Sequence, residues 1–468
     1  MIISSPVKAL RDEDLPAVLD HAISILENTG VLVENTELLD VFKARGNLVD
    51  MSSMKLKIPR KNTENMLSCA QRVKYNDIPV KLRAFAGVYQ GLYLDIDGEY
   101  KPWTHKRVLD YAKLAQNLTN IDNMFMLGYP AEDTPDLLKP LYEKLYCWNY
   151  DFDGGKSIWE TVLCEPIYNM WQIYADEKGT IAESIFNGTV YMISPLRLGK
   201  VEAEQFYYFY KKGLKTTVGQ QGSLGVTTPV TLAGALAINL AEGLFINYLN
   251  HVFFDDKYLK LYNSISTVDM STGLFQYGRP EQVALNTAGA QMAAYIGASF
   301  EGHAGLSDAK APGYESAGQK VYSALSGALC YGSGILEAGL LAVDEVNSPI
   351  QMIFDDEMTG AINKTFQQIE VSEETLALSE IDEIGAGGSF VDSTHTFENF
   401  RESLWFPTIW SKESYSLWKS RGAKSESDLA LEKYYEIMKK SELKEYLSEE
   451  AKRALNAIID SVKKGGAL

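Results

Sequence analysis

Residues 216–249 read TTVGQQGSLGVTTPVTLAGALAINLAEGLFINYL. The first six, Thr216–Gln221, are β-branched at the start and bounded by a glycine-rich loop, as a short strand is. That loop of small residues leads to Thr228 and Pro229, which read as a helix N-cap followed by proline at the first helical position. Leu232–Leu249 is then an apolar run of helical length, and Asn263–Met270 begins another strand-like run. Strand, loop, helix and strand in that order make a βα unit, and strands joined this way pair in parallel.

The pattern repeats on both sides. Eight strand candidates are Asn123–Tyr129, Lys156–Thr161, Val190–Ser194, Thr216–Gln221, Asn263–Met270, Ala298–His303, Ala328–Gly332 and Gly387–Val391. Eight such units predict the α/β class and a (β/α)8 TIM barrel over residues 105–407. A doubly wound open sheet is the competing architecture, but it needs a cofactor loop after an early strand, and no G-x-G-x-x-G follows the first two. Residues 1–104 read as an N-terminal cap of helices and a small β-sheet. Its helices run from Asp14 to near Gly30 and over 36–44, and a hairpin folds around Asp97-Gly98. Residues 408–468 read as a C-terminal helical extension of mixed charge.

Composition removes several classes of function. Lys and Arg number 44 against 62 Asp and Glu, a net charge of −18. With no basic block, the chain lacks the cationic footprint that nucleic acid demands. Four cysteines without paired spacing argue against a disulfide framework, and five histidines without an H-E-x-x-H argue against a metal site. The N-terminus lacks the apolar core of a signal peptide, and Leu232–Leu249 is interrupted by Asn239, Glu242 and Asn247, so a cytoplasmic protein without a membrane span is expected. Between residues 340 and 384, eleven carboxylates face the single Lys364. They read as a solvated helical face, with a steering surface for a cation as the second reading.

A barrel carries its active site at the carboxyl ends of its strands, and those ends are polar and aromatic here. Tyrosine alone numbers 27. Ring faces attract methylammonium groups by about 0.5–2 kcal/mol each, although for any single ring a place in the core is the simpler reading. Glycine-rich loops follow the fourth, seventh and eighth candidates; the last two positions suit a phosphate or, with no lysine or arginine beside Gly332 or Gly387, better suit close approach of a large flat group. Gly332-Ser333-Gly334 is an incomplete nucleophile elbow, because Tyr331 stands before the first glycine. Two rivals follow from the residues: a lyase or aldolase with Lys310 as the imine-forming amine, and a non-catalytic protein that holds a methylated solute.

Several stretches together carry a family likeness. They are Ile193-Ser-Pro-Leu196, TPVTLAGAL (228–236), SISTVDMSTG (264–273), GLSDAK (305–310) with GYE (313–315), GSGILE (332–337), and IGAGGSF (384–390) before His395-Thr396. In this order, over nearly the whole chain, they resemble the trimethylamine:corrinoid methyltransferase superfamily, in its branch without pyrrolysine. The resemblance implies a TIM barrel that moves a methyl group from a quaternary amine, of the betaine type, to cobalt(I) of a separate cognate corrinoid protein. It implies no tightly bound cofactor, because the corrinoid arrives on its partner. A quaternary nitrogen leaves as a neutral amine without activation, so a chain of standard residues suits such a donor. Strand-end geometry then nominates Tyr331, Phe300, Phe275 and Tyr277 as a cation cage, with Glu301 and Asp269 for charge. His303, Gln221 and Ser194 are nominated as donors to a substrate carboxylate, and Gly332, Gly334, Gly387 and Gly388 as the corrinoid-docking rim. No residue is assigned a catalytic role, and a homo-oligomer is expected from the habits of large barrels.

Overall fold

The stretch KLRAFAGV, Lys81–Val88, is where the barrel begins. In the computed structural model, which describes residues 2–3, 8–75, 78–89, 91–126, 128–331 and 333–465, its alternation separates two faces. Leu82, Ala84, Ala86 and Val88 are buried, while Arg83 and Phe85 line an internal cavity. Successive side chains of a strand point to opposite sides, so one face packs under helices and the other is left to the barrel interior.

Eight parallel strands close on themselves. They are β1 (Lys81–Val88), β2 (Asn123–Met126), β3 (Asp153–Gly154), β4 (Thr189–Tyr191), β5 (Thr217–Gly219), β6 (Lys260–Asn263), β7 (Ser299–Ala304) and β8 (Ser333–Ala338). A continuous sheet runs β3-β2-β1-β8-β7-β6, and β4 pairs with β5. Parallel bridges between Ser157 and Thr189 and between Ser223 and Ser266 join the two pieces. Ser266 N–H donates to Gly222 and Leu224 N–H to Ser266, each at 3.0 Å. The eight following helices are α1 (His105–Gln116), α2 (Lys139–Asn149), α3 (Cys164–Glu177), α4 (Lys200–Lys211), α5 (Leu232–Phe254), α6 (Pro280–Ile296), α7 (Tyr314–Tyr331) and α8 (Pro349–Thr365). The α/β class and the closed (β/α)8 barrel are thus as the sequence predicts.

Several boundaries differ. The first barrel strand lies inside the segment 1–104 expected as a cap, so the barrel starts at Lys81. The eighth strand is Ser333–Ala338, paired with β1 over six residues. Ala328–Tyr331 instead completes α7, whose helical apolar spacing continues through Leu329 and Cys330. Gly387–Val391 is not a strand. Gly385 and Gly387 take positive φ, and residues 385–391 are exposed. Thr228 belongs to the turn before α5, its N–H bonded to Ser223 C=O at 3.1 Å, and the helix starts at Leu232.

The helix Leu15–Ser24 packs on α5, and the sheet of Val31–Val33, Leu48–Asp50 and Lys55–Lys57 gains its fourth strand, Arg197–Leu198, from the loop after β4. The Asp97-Gly98 hairpin forms as expected between Leu92–Leu94 and Tyr100–Pro102. Glu449–Gly465 covers α2 and α3, and Glu426–Lys440 covers α1 and α8. α5 is long and apolar enough to cross a membrane, but 67% of its apolar window is buried. The acidic segment divides. Asp355, Asp356 and Glu357 are buried, with Lys320 on Asp355, Lys433 on Asp356 and the N–H groups of residues 408–410 on Glu357, while Glu370–Glu383 is exposed. The exposed stretch also carries Ile369, Val371, Leu376, Leu378 and Phe397, each at least 60% exposed.

Candidate active site

The barrel interior is a well of about 1090 Å³ lined by rings, aliphatic side chains and a few charged groups. Its floor is set by the first inward residues of three strands, Arg83, Lys260 and Glu301, with Lys260 Nζ 2.5 Å from Glu301. Higher up stand Phe85, Tyr262, His303 and Ile335, then Phe125, Ser264 and Glu337. Tyr89, Tyr191, Tyr277, Gln221, Trp159 and Asp344 surround the opening. Gly128, at φ +100°, lets the Trp159 ring lie where a Cβ would come within 2.5 Å of it.

Glu337 is the centre of this arrangement. It is 6% exposed. One carboxylate oxygen accepts from Tyr89 OH at 2.9 Å, and the other lies 2.9 Å from His303 Nδ1. His303 Nε2 is 2.6 Å from Tyr262 OH. Nδ1–H donates to the carboxylate, and the Tyr262 hydroxyl holds the other ring nitrogen, so the imidazole is fixed between the two. Tyr277 OH accepts from Gln221 at 2.7 Å, and its ring lies 5.8 Å from that of His303. Burial, and then the charge of Glu337, holds the hydroxyls of Tyr89 and Tyr191 above their ordinary range, that of Tyr191 at about 12. Burial also raises Tyr262 and Tyr277. All four therefore stay neutral, presenting ring faces and hydroxyls around one carboxylate.

Asp344 reinforces the reading of a site short of positive charge. Burial raises its pKa, and neighbouring Glu337 and Glu345 raise it further. A cation entering the opening removes that penalty.

Of the sequence-nominated residues, Tyr277, Glu301, His303 and Gln221 line the well. Phe275 lies one ring behind, edge-on to Tyr277 at 5.6 Å. Phe300 faces the opposite way, against Gly289 of α6, because neighbours Glu301 and Ser299 cannot share its side of the strand. Asp269 caps its own exposed turn, accepting from Ser271 and Thr272 N–H. Ser194 is turned from the well and donates to buried Glu242 at 2.9 Å. Gly334 pairs with Leu82 at the floor end of β8. Gly387 and Gly388 lie in an exposed turn well after α8, with no strand beside them among the described residues, and they do not line the well. Gly332 and the side chain of Tyr331 lie outside the described residues. Lys310 does not line the well, and its amine donates to Asp308 C=O at 2.8 Å. Among the described residues, no cluster of three His, Cys, Asp or Glu could hold a metal ion.

Sequence reasoning missed Tyr89, Tyr191, Tyr262, Glu337, Asp344 and Arg83. The available signal was parity: Tyr262, Glu301 and His303 are two-residue steps along neighbouring strands.

Glu242 yields a pH prediction. Burial raises its carboxyl to about 6, against the pull of Leu196 N–H and Ser194 OH. The folded chain thus binds a proton more tightly than the unfolded one. That stabilisation is complete below the ordinary carboxylate pKa and lost as pH rises through about 6. Its size is about 2 kcal/mol. Urea unfolding at pH 4.5 and 7 should show this loss in the wild type relative to Glu242→Gln, and equal pH dependence in both would remove Glu242 as its source.

A well open at the carboxyl ends of eight parallel strands defines a barrel enzyme. The family described as trimethylamine methyltransferase (MTTB) matches residues 3–467, and the chain belongs to it. It is a methyltransferase. It is 25% identical over 464 residues to the trimethylamine methyltransferase MttB of Methanosarcina thermophila, covering 92% of this chain and 93% of that one. It is 23% identical over 428 residues to the glycine betaine methyltransferase of Desulfitobacterium hafniense (strain Y51), covering 87% and 88%. Among solved structures, the Methanosarcina barkeri monomethylamine methyltransferase (MtmB) aligns over 98% of this chain and 94% of that one, with 9% identity and a TM-score of 0.45.

Proposed function

We propose that this methyltransferase takes a methyl group from a quaternary amine of the betaine type, such as glycine betaine, proline betaine, carnitine or γ-butyrobetaine, and delivers it to cobalt(I) of a cognate corrinoid protein. The observation that carries the reading is the ring of Tyr89, Tyr191, Tyr262 and Tyr277 around buried Glu337 at the open end of the well. Neutral rings and an ionised carboxylate are the environment a permanently charged, non-hydrogen-bonding ammonium requires. Transfer is one in-line displacement: the acceptor's electron pair forms the carbon–cobalt bond as the carbon–nitrogen bond breaks, and its pair stays on the departing neutral amine. No proton moves in that step. The protein's part is to orient the methyl toward the opening and to exclude water.

The corrinoid partner docks over the strand ends. Val226, Val230, Met270 and Leu274, in the loops after β5 and β6, are all at least 64% exposed and support an apolar docking rim there. The exposed apolar residues between Ile369 and Phe397 support a homo-oligomer, and the reading is of a cytoplasmic protein with no resident cofactor.

The test is an anaerobic assay of the purified chain with a reduced corrinoid protein and each quaternary amine in turn, following the cobalt(I) band. Conversion to methylcobalt(III) with a betaine and not with trimethylamine is the expected result. Conversion with trimethylamine alone would overturn the choice of donor.

A further inference from the structure

We propose that Arg83 forms an anion subsite at the floor of the well, which takes the carboxylate of the donor and so turns its methylammonium toward the opening. This rests on the reading of the tyrosine ring as the ammonium site.

The well is electrically polar along its axis. Toward the opening lie Glu337, Asp344 and Glu345. Toward the floor lie Arg83 and Lys260 beside one carboxylate, Glu301. Although burial opposes it, Lys260, and after it Arg83 and Lys156, hold Glu301 below the usual carboxylate range. Lys260 is therefore committed to Glu301, and the floor keeps a positive excess.

Arg83 is the cation placed to use that excess. It is exposed within the well, and among the described residues no carboxylate lies within ion-pair distance of it. Its guanidinium lies 5.4 Å from the centre of the Phe85 ring, which steadies it without neutralising it. A guanidinium offers a planar fork of donors that matches a carboxylate with two parallel hydrogen bonds. Phe85 pairs in register with Glu337, so Arg83 stands two residues below it, about 7 Å along the strand. A small zwitterion with its ammonium beside Glu337 therefore directs its carboxylate at Arg83. The reverse pose sets cation against cation at the floor and anion against anion at the top, and it hides the methyl from the acceptor.

The consequence is selection by charge at both ends. Binding of glycine betaine, proline betaine, carnitine, γ-butyrobetaine and choline to the full chain, measured by calorimetry, tests it without the corrinoid partner. In the wild type, at least one of the carboxylated amines binds more tightly than choline by roughly 30-fold. Arg83→Met removes that preference by weakening the betaine and, with a repelling cation gone, tightening choline. Arg83→Lys, which keeps the charge and loses the fork, restores part of it. Equal binding of choline and the best betaine by the wild type, or an unchanged preference in Arg83→Met, overturns the subsite while leaving the ammonium site standing. Failure of every quaternary amine to bind overturns both.

Discussion

Glu337→Gln is expected to lower kcat/KM for the quaternary donor by about 100-fold, because it removes the buried carboxylate at the centre of the tyrosine ring. The substitution keeps the size of the side chain but replaces an acceptor with an N–H donor. One of its two present donors, Tyr89 OH at 2.9 Å or His303 Nδ1–H at 2.9 Å, then meets an amide hydrogen. The effect combines lost charge with a disturbed ring, and a partner set separates the two. Tyr89→Phe removes only one hydrogen bond, worth about 1 kcal/mol, and leaves the aromatic face in place. It should therefore cost about a tenth as much in rate as Glu337→Gln. Steady-state kinetics of the cobalt(I) reaction decides the matter. Equal effects of the two variants would make Glu337 a structural acceptor for Tyr89 and His303 and remove it as the counter-charge.

How much of this site the sequence disclosed depends on where each strand was taken to end. Tyr277, Glu301, His303 and Gln221 follow or close runs that read plainly as strands, and all four line the well. Phe300 stands next to Glu301, and adjacent residues of a strand cannot face the same way. Choosing Glu301 and His303 therefore already excluded it. β1 stayed hidden for a physical reason. Its inward face begins with Arg83 because the floor of this barrel is charged, and Lys81 at its start is exposed and paired with Asp122, so KLRAFAGV looks like an exposed strand of a small cap. Without β1, the count of eight is completed in sequence only by the glycine-rich run Gly387–Val391, which is not a strand. Tyr89 and Glu337 stayed hidden with β1, since both belong to the seam where β1 meets β8. Ser194 could not be placed from local sequence at all: its partner, Glu242, sits 48 residues later on α5.

That seam also bears the largest expected effect on stability. Lys320 and Asp355 are both fully buried, 3.0 Å apart. Lys320 donates its second bond to Glu337 C=O at 2.8 Å, and Asp355 accepts from Gly339 N–H at 2.7 Å and from Gln351 at 2.8 Å. The pair thus clamps the backbone on both sides of Ala338, at the end of β8, where Glu337 must be aimed. Lys320→Met should destabilise the chain by about 4 kcal/mol, since it leaves a buried carboxylate without its cation. For a chain of this length that corresponds to a fall in Tm of about 4 °C. Lys320→Met with Asp355→Leu removes both charges and should recover the part of the loss that comes from the unpaired carboxylate, because an apolar pair carries no charge to desolvate. It should not recover activity. Glu337 C=O and Gly339 N–H remain without their partners, so the carboxylate is no longer fixed against Tyr89 and His303, and KM for the donor stays raised. Denaturation and kinetics measured on the same three proteins separate these effects. Full activity in the stable double variant would mean that the clamp holds the fold and does not position Glu337.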